Sequence, residues 1–183
     1  RFVSNLKINR NLLQQANETS DGQHPFAVIL SCIDSRTSAE LIFDQGLGDV
    51  FSVRIAGNIV NEDILGSMEF GCKVAGAKII VVLGHTKCGA VKGACDNVAL
   101  GNLTGLIAKI KPAVDEESVT SENRNSSNGV FVENVAELNV SLSVKNILLK
   151  SPIIADMVKN GDIGIVGGIH DIATGEVNFL SKC

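Results

Sequence analysis

Apolar residues follow two rhythms along this chain. Ala27-Val28-Ile29-Leu30 and Ile79-Ile80-Val81-Val82-Leu83 are unbroken, largely β-branched runs, which predicts strands buried on both faces. Val50-Phe51-Ser52-Val53-Arg54 predicts a further strand closing at Ala56-Gly57-Asn58, and 163–169 and 176–180 two late ones joined at Ala173-Thr174-Gly175. Elsewhere the spacing changes to three and four. Ile64, Leu65, Met68, Cys72 and Ala75 share one face of a helix over 61–75 that stops at Gly76. Val132, Val135, Leu138, Leu142, Val144, Ile147 and Leu148 mark a long helix over 130–150. Ser151-Pro152 opens another, stopped at Gly161.

Shorter helices are expected after Thr37-Ser38-Ala39-Glu40 and from Gly89-Ala90-Val91. Val3, Leu6, Ile8, Leu12 and Leu13 predict a helix or frayed arm over 2–15, and 17–25 reads as a polar loop. The stretch 115–129 is almost purely polar and is expected to be an exposed insertion between two helices, the least structured part of the core region. Strands alternating with helices predict an α/β fold, a mostly parallel central sheet flanked by helices. The length suits one domain over 1–183. In such sheets ligands collect beyond the carboxyl ends of the strands.

Both buried runs end in unusual residues. The first passes into Ser31-Cys32-Ile33-Asp34-Ser35-Arg36 and the second into Gly84-His85-Thr86-Lys87-Cys88. Cys32, His85 and Cys88 are soft ligands that suit zinc, and three of them leave a fourth tetrahedral position open to water. Two thiolates cancel the ion's charge, so that water is less acidified than in an all-imidazole site. The plainer alternative is a pair of buried thiols and a core histidine. Residues two apart in an extended segment point the same way, so Asp34 and Arg36 can share a face with Cys32. Asp34 then either binds the metal or takes a proton from its water, with Arg36 holding it ionised. Without the cysteines, a surface ion pair would be the simpler account.

The remaining composition narrows the choices. The net charge is −4, with no basic run and no aromatic-basic interleaving, which weighs against nucleic acid and an anionic membrane surface. No apolar stretch reaches membrane-spanning length. The five cysteines, Cys32, Cys72, Cys88, Cys95 and Cys183, are odd in number and irregularly spaced, which favours reduced thiols over a disulfide framework. Cys72 and Cys95 read as packing residues. A three-histidine metal site would need His24, His85 and His170 from three distant places. The chain starts at Arg1, so an N-terminal segment is expected to precede it. A cytoplasmic location is expected, with periplasm or organelle left open.

The pairing of Cys-x-Asp-x-Arg with His-x-x-Cys resembles the β-carbonic anhydrases. The likeness extends through Gly22-Gln23-His24-Pro25-Phe26, Val53-Arg54-Ile55-Ala56-Gly57-Asn58 and Gly167-Gly168-Ile169-His170-Asp171. The resemblance implies zinc on Cys32, His85 and Cys88, and a catalytic pair of Asp34 and Arg36. It implies attack of a zinc-bound hydroxide on carbon dioxide to give bicarbonate. Gln23, Phe51, Ala56, Phe70 and Gly89 match substrate-binding positions, with Phe51 and Phe70 lining an apolar pocket between chains of a homodimer or homotetramer. Phe70 stands where many relatives carry tyrosine.

In some members the aspartate becomes a fourth zinc ligand at low pH, beside an inhibitory bicarbonate site built from tryptophan, arginine and tyrosine. Here Arg54 matches, but Ile29 and His170 replace the other two. That site is therefore expected to be absent, with Asp34 paired to Arg36 at neutral pH. Two other readings stay open. One is a hydrolase of carbon disulfide or carbonyl sulfide on the same site. The other is a zinc-stabilised binding module closed by Asp34 or Cys95.

Overall fold

The computed structural model describes residues 3–4 and 9–181. Residues 2 and 5–8 of the arm expected over 2–15, and Cys183, lie outside the described residues. Five strands form one sheet in the order β2-β1-β3-β4-β5. They are β1 (Ala27–Ser31), β2 (Val50–Arg54), β3 (Ile79–His85), β4 (Gly164–His170) and β5 (Val177–Phe179). The first four run parallel, and β5 returns antiparallel along β4. From β1 the chain steps outward to β2, then crosses back to the other side as β3. This reversal is a topological switch point, and it leaves a crevice beyond the carboxyl ends of β1 and β3. Ser31 is level with Leu83, so Cys32 and His85 both emerge there.

The helices follow from the apolar spacing. α3 (Glu62–Glu69) is capped by Asn61, whose side chain accepts from the Ile64 amide, and it widens into a π turn over Phe70–Val74. α4 (Gly89–Cys95) begins directly on Cys88. α7 (Gly129–Lys150) crosses the end of β3. A Cβ at Gly84 would come within 2.6 Å of Val140 Cγ2 and 2.9 Å of Ile169 Cδ1, so only glycine lets α7 lie this close. α8 (Pro152–Lys159) has Ser151 as its cap. Val28, Leu30, Ile80 and Val82 face the larger core together with Met68, Val91, Ile110, Phe131 and Ile147. Ala27, Ile29, Val81 and Leu83 point to the opposite face, where a smaller cluster is covered by Ala39 and Ile42 of α2 (Ala39–Ile42).

Three expectations are corrected. The helix near the amino end is α1 (Leu12–Glu18), so it runs into the stretch read as a loop. Asn11 explains the shift, because its side chain caps the Gln14 amide. Two helices not foreseen, α5 (Gly101–Ile107) and α6 (Lys111–Glu116), precede the polar stretch. That stretch is not simply exposed. Glu117 is buried at 3% exposure and is held by Arg124 at 2.5 Å, by Thr120 and by Asn134. Arg124 also lies over the Phe131 ring, 4.7 Å from its centre. A polar segment is thus folded onto the core by one inward carboxylate, a contact that composition alone does not reveal.

Candidate metal centre

Cys32, Asp34 and Arg36 leave β1 in a tight turn. Thr37 fixes that turn, donating both its amide and its hydroxyl to the Asp34 carbonyl at 3.0 Å. Arg54, at the end of β2, donates Nε to the Cys32 carbonyl at 3.0 Å and Nη2 to the Asp34 carbonyl at 2.6 Å. The residue matched to an inhibitory anion site therefore ties down the backbone of the first loop. His170 is buried and stands level with His85 across the β3–β4 ladder.

Cys32, His85 and Cys88 converge. Their ligand atoms all lie within 4.8 Å of one another, and all three residues are buried. The two sulfurs are 4.0 Å apart. Zinc–sulfur bonds of about 2.3 Å place two thiolates on one tetrahedral ion roughly 3.8 Å apart, so one ion can bridge this pair with little movement. His85 Nδ1 donates to the Thr86 carbonyl at 2.9 Å, which puts the lone pair of the neutral ring on Nε2. Nε2 is buried and has no hydrogen-bond partner. An orphaned imidazole nitrogen facing two sulfurs is what a cation would satisfy. Cys95 is buried, yet it does not join this group, the one cluster of its kind among the described residues.

The electrostatics agree. The Cys32 thiol is pulled well below its ordinary range by the neighbouring Cys88, His85 and the Gly57 amide, which donates to its sulfur at 3.3 Å. Cys88 is pushed up, because a second negative charge beside the first is costly, although the amides of Ala90 and Val91 oppose this. Burial disfavours the His85 imidazolium, but the Cys32 sulfur, the Thr86 carbonyl and Asp34 more than offset it, so His85 is raised. A thiolate beside a second thiol that keeps its proton is a pair in which a bound cation would displace that remaining proton.

Asp34 sits at the rim, its Oδ2 4.0 Å from His85 Nε2. Both its oxygens are engaged by Arg36, Oδ1 from Nε at 2.9 Å and Oδ2 from Nη2 at 2.7 Å. That guanidinium, above all, holds the Asp34 carboxyl far below the usual carboxylate range. To become a fourth ligand, Asp34 would have to release a paired, charge-assisted contact. The arrangement is therefore three converging donors, with the Asp34 carboxylate held to one side by Arg36.

Of the residues matched by resemblance to substrate-binding positions, Phe51 and Phe70 meet edge to face, with ring centres 6.1 Å apart. Phe70 is 47% exposed, and Gly89 opens onto empty space beside Cys88. Ala56 begins the 3₁₀ turn that presents the Gly57 amide. Gln23 is exposed in the loop before β1, and no hydrogen bond among the described residues joins it to the cluster. Sequence reasoning missed the supports. Asn139 of α7 donates to the Gly57 carbonyl at 2.8 Å, and Ser143 to the Asn58 carbonyl at 3.2 Å. The available signal was polar residues at buried-face spacing within an apolar helix.

A profile of the carbonic anhydrase family matches residues 27–177. Carbonic anhydrase 2 of Mycobacterium tuberculosis is 36% identical over 159 residues, covering 84% of this chain and 73% of its own. A carbonic anhydrase of Mycolicibacterium smegmatis is 33% identical over 183 residues, covering 99% and 87%. Among solved structures, a tetrameric β-carbonic anhydrase of Sordaria macrospora superposes with a TM-score of 0.77 at 26% identity, covering 90% of this chain and 85% of that one.

Proposed function

The chain belongs to the β-carbonic anhydrase family, and from that premise we propose that it uses zinc on Cys32, His85 and Cys88 to convert carbon dioxide and water to bicarbonate and a proton, reversibly. The observation that carries this reading is the pair of sulfurs 4.0 Å apart facing an unpartnered His85 Nε2. When bound, the metal supplies a water acidified at the open fourth position.

The protein's own groups do the rest. Arg36 keeps Asp34 ionised, which leaves a carboxylate at the rim to accept a hydrogen bond from the reacting water and orient it. A carboxylate held so far below its usual range is a poor proton carrier at neutral pH. Its role is orientation, and the proton leaves to solvent or buffer. Phe51 and Phe70 offer an apolar wall suited to a nonpolar gas, and the exposure of Phe70 is consistent with a second copy closing that wall. We therefore read the working form as a homodimer or homotetramer.

The test is stopped-flow carbon dioxide hydration by the zinc-loaded chain, with carbon disulfide and carbonyl sulfide assayed on the same preparation. Hydration of carbon dioxide above the buffer rate is the expected result. Turnover confined to the sulfur compounds, or zinc binding without any turnover, would contradict it.

A further inference from the structure

The loop from His85 to Cys88 has to bring Nε2 of one residue and Sγ of another onto one point across only two intervening residues. It does so by turning through Lys87 at φ +57°. That region costs a non-glycine residue about 1–2 kcal/mol, so the turn needs outside support. Two supports come from the sheet side: the Thr86 amide donates to the His170 carbonyl at 3.0 Å, and the Ile172 amide donates to Thr86 Oγ1 at 3.1 Å. The third comes from α7. Glu133 Oε1 accepts the Lys87 amide at 2.9 Å, from a residue 46 positions away. Its other oxygen, Oε2, is also shielded from solvent, with no hydrogen-bond partner. Glu133 is half-buried, with Oε1 on the loop amide and Oε2 against the protein. Ala136 and Val140 follow at helical spacing on the same face, where α7 presses on Gly84.

We propose that Glu133 is a positioning residue for the metal centre: by accepting the Lys87 amide it holds the strained His85–Cys88 turn in its ligand-presenting shape. This rests on the zinc reading above. Apparent affinity scales with the fraction of molecules already in the competent shape. Where the turn is strained, removing its support lowers that fraction. Where the turn is unstrained, the fraction stays near one and the support matters little. Glycine at 87 supplies the unstrained case.

The experiment measures zinc affinity of the full chain by chelator competition at fixed pH. The proteins compared are wild type, Glu133→Ala, Glu133→Gln, Lys87→Gly and the Lys87→Gly/Glu133→Ala double variant. Glu133→Ala is expected to weaken zinc binding about 5–30-fold, the turn's strain of about 1–2 kcal/mol read as lost competent population. Glu133→Gln keeps the accepting oxygen and should stay within about threefold of wild type. In the Lys87→Gly background, the alanine change should cost no more than about threefold. Equal losses in both backgrounds, no loss in Glu133→Ala, or a glutamine variant as weak as alanine would overturn the proposal. Failure of the wild type to bind zinc would instead overturn the metal reading itself.

Discussion

The two strand ends that form the centre are built differently. The loop after β1 is half-open to solvent, and its charged pair is set by neighbours in sequence: Arg36 clamps Asp34 from two residues away and Thr37 closes the turn from three, while Arg54 of β2 ties down the backbone. The loop after β3 is more enclosed, and what holds it comes from afar: His170 across the ladder, Ile172 beyond it, and Glu133 on α7. One half carries charge to the rim, and the other presents ligands from a strained backbone. The difference teaches that a site can divide its labour, with local contacts tuning reactivity and long-range ones fixing geometry.

The largest effect should come from cutting either half at its metal-binding atom. Cys88→Ser on the enclosed side and Cys32→Ser on the open side should both lose zinc content and lower hydration by more than about a hundredfold, since even outer supports cost up to that much. Metal analysis beside stopped-flow rates checks this. A divergence between the two would show that only one half is needed for binding.

Next comes a change confined to the open half. Asp34→Asn should keep its zinc and lose roughly a hundredfold in hydration rate, the order of loss when a reacting group is left poorly oriented. Zinc loss in this variant would mean that the carboxylate is a ligand.

Arg36→Gln should act more mildly and through pH. With the guanidinium present, the Asp34 carboxyl is depressed, so it stays ionised into strongly acidic solution. Without it the carboxyl returns toward about 3.9, and the Asp34 titration followed by carboxyl NMR should move upward. A titration that stays in place would contradict that origin for the shift.

The smallest effect on catalysis should come from a pair that touches none of the three converging residues. Arg124→Ala strips the buried Glu117 of its cation. It should destabilise the fold by about 2 kcal/mol, less than the 3–5 typical of a fully buried pair because Arg124 is itself a third exposed. Burial alone would raise Glu117, but Asn134, Thr120 and Arg124 outweigh it and the net shift is downward. Its contribution is thus present above about pH 4.3, the unfolded value, and fades as pH falls through the lower folded one. Thermal melts from pH 7 to 3 should show wild type and variant converging.

The same contrast explains what the sequence made legible. The two buried strands and the residues ending them could be read because β-branched runs and a Cys-x-Asp-x-Arg pattern are short-range signals. The Asp34–Arg36 pair lies two residues apart. The long-range supports of both halves were not readable: Glu133 and Lys87 are 46 residues apart, and Asn139 and Gly57 82. Glu117 was taken for part of a solvated run because its neighbours are polar and its partner Arg124 lies within the same run. α5 and α6 escaped because glycines at 101 and 105 and Pro112 blur a helical rhythm.

X-ray absorption at the zinc edge tests the central claim most directly. The account predicts two sulfur donors at about 2.3 Å and two lighter donors at about 2.0–2.1 Å, one of them exchangeable with solvent. No bound zinc, or a shell with a third sulfur, would contradict it.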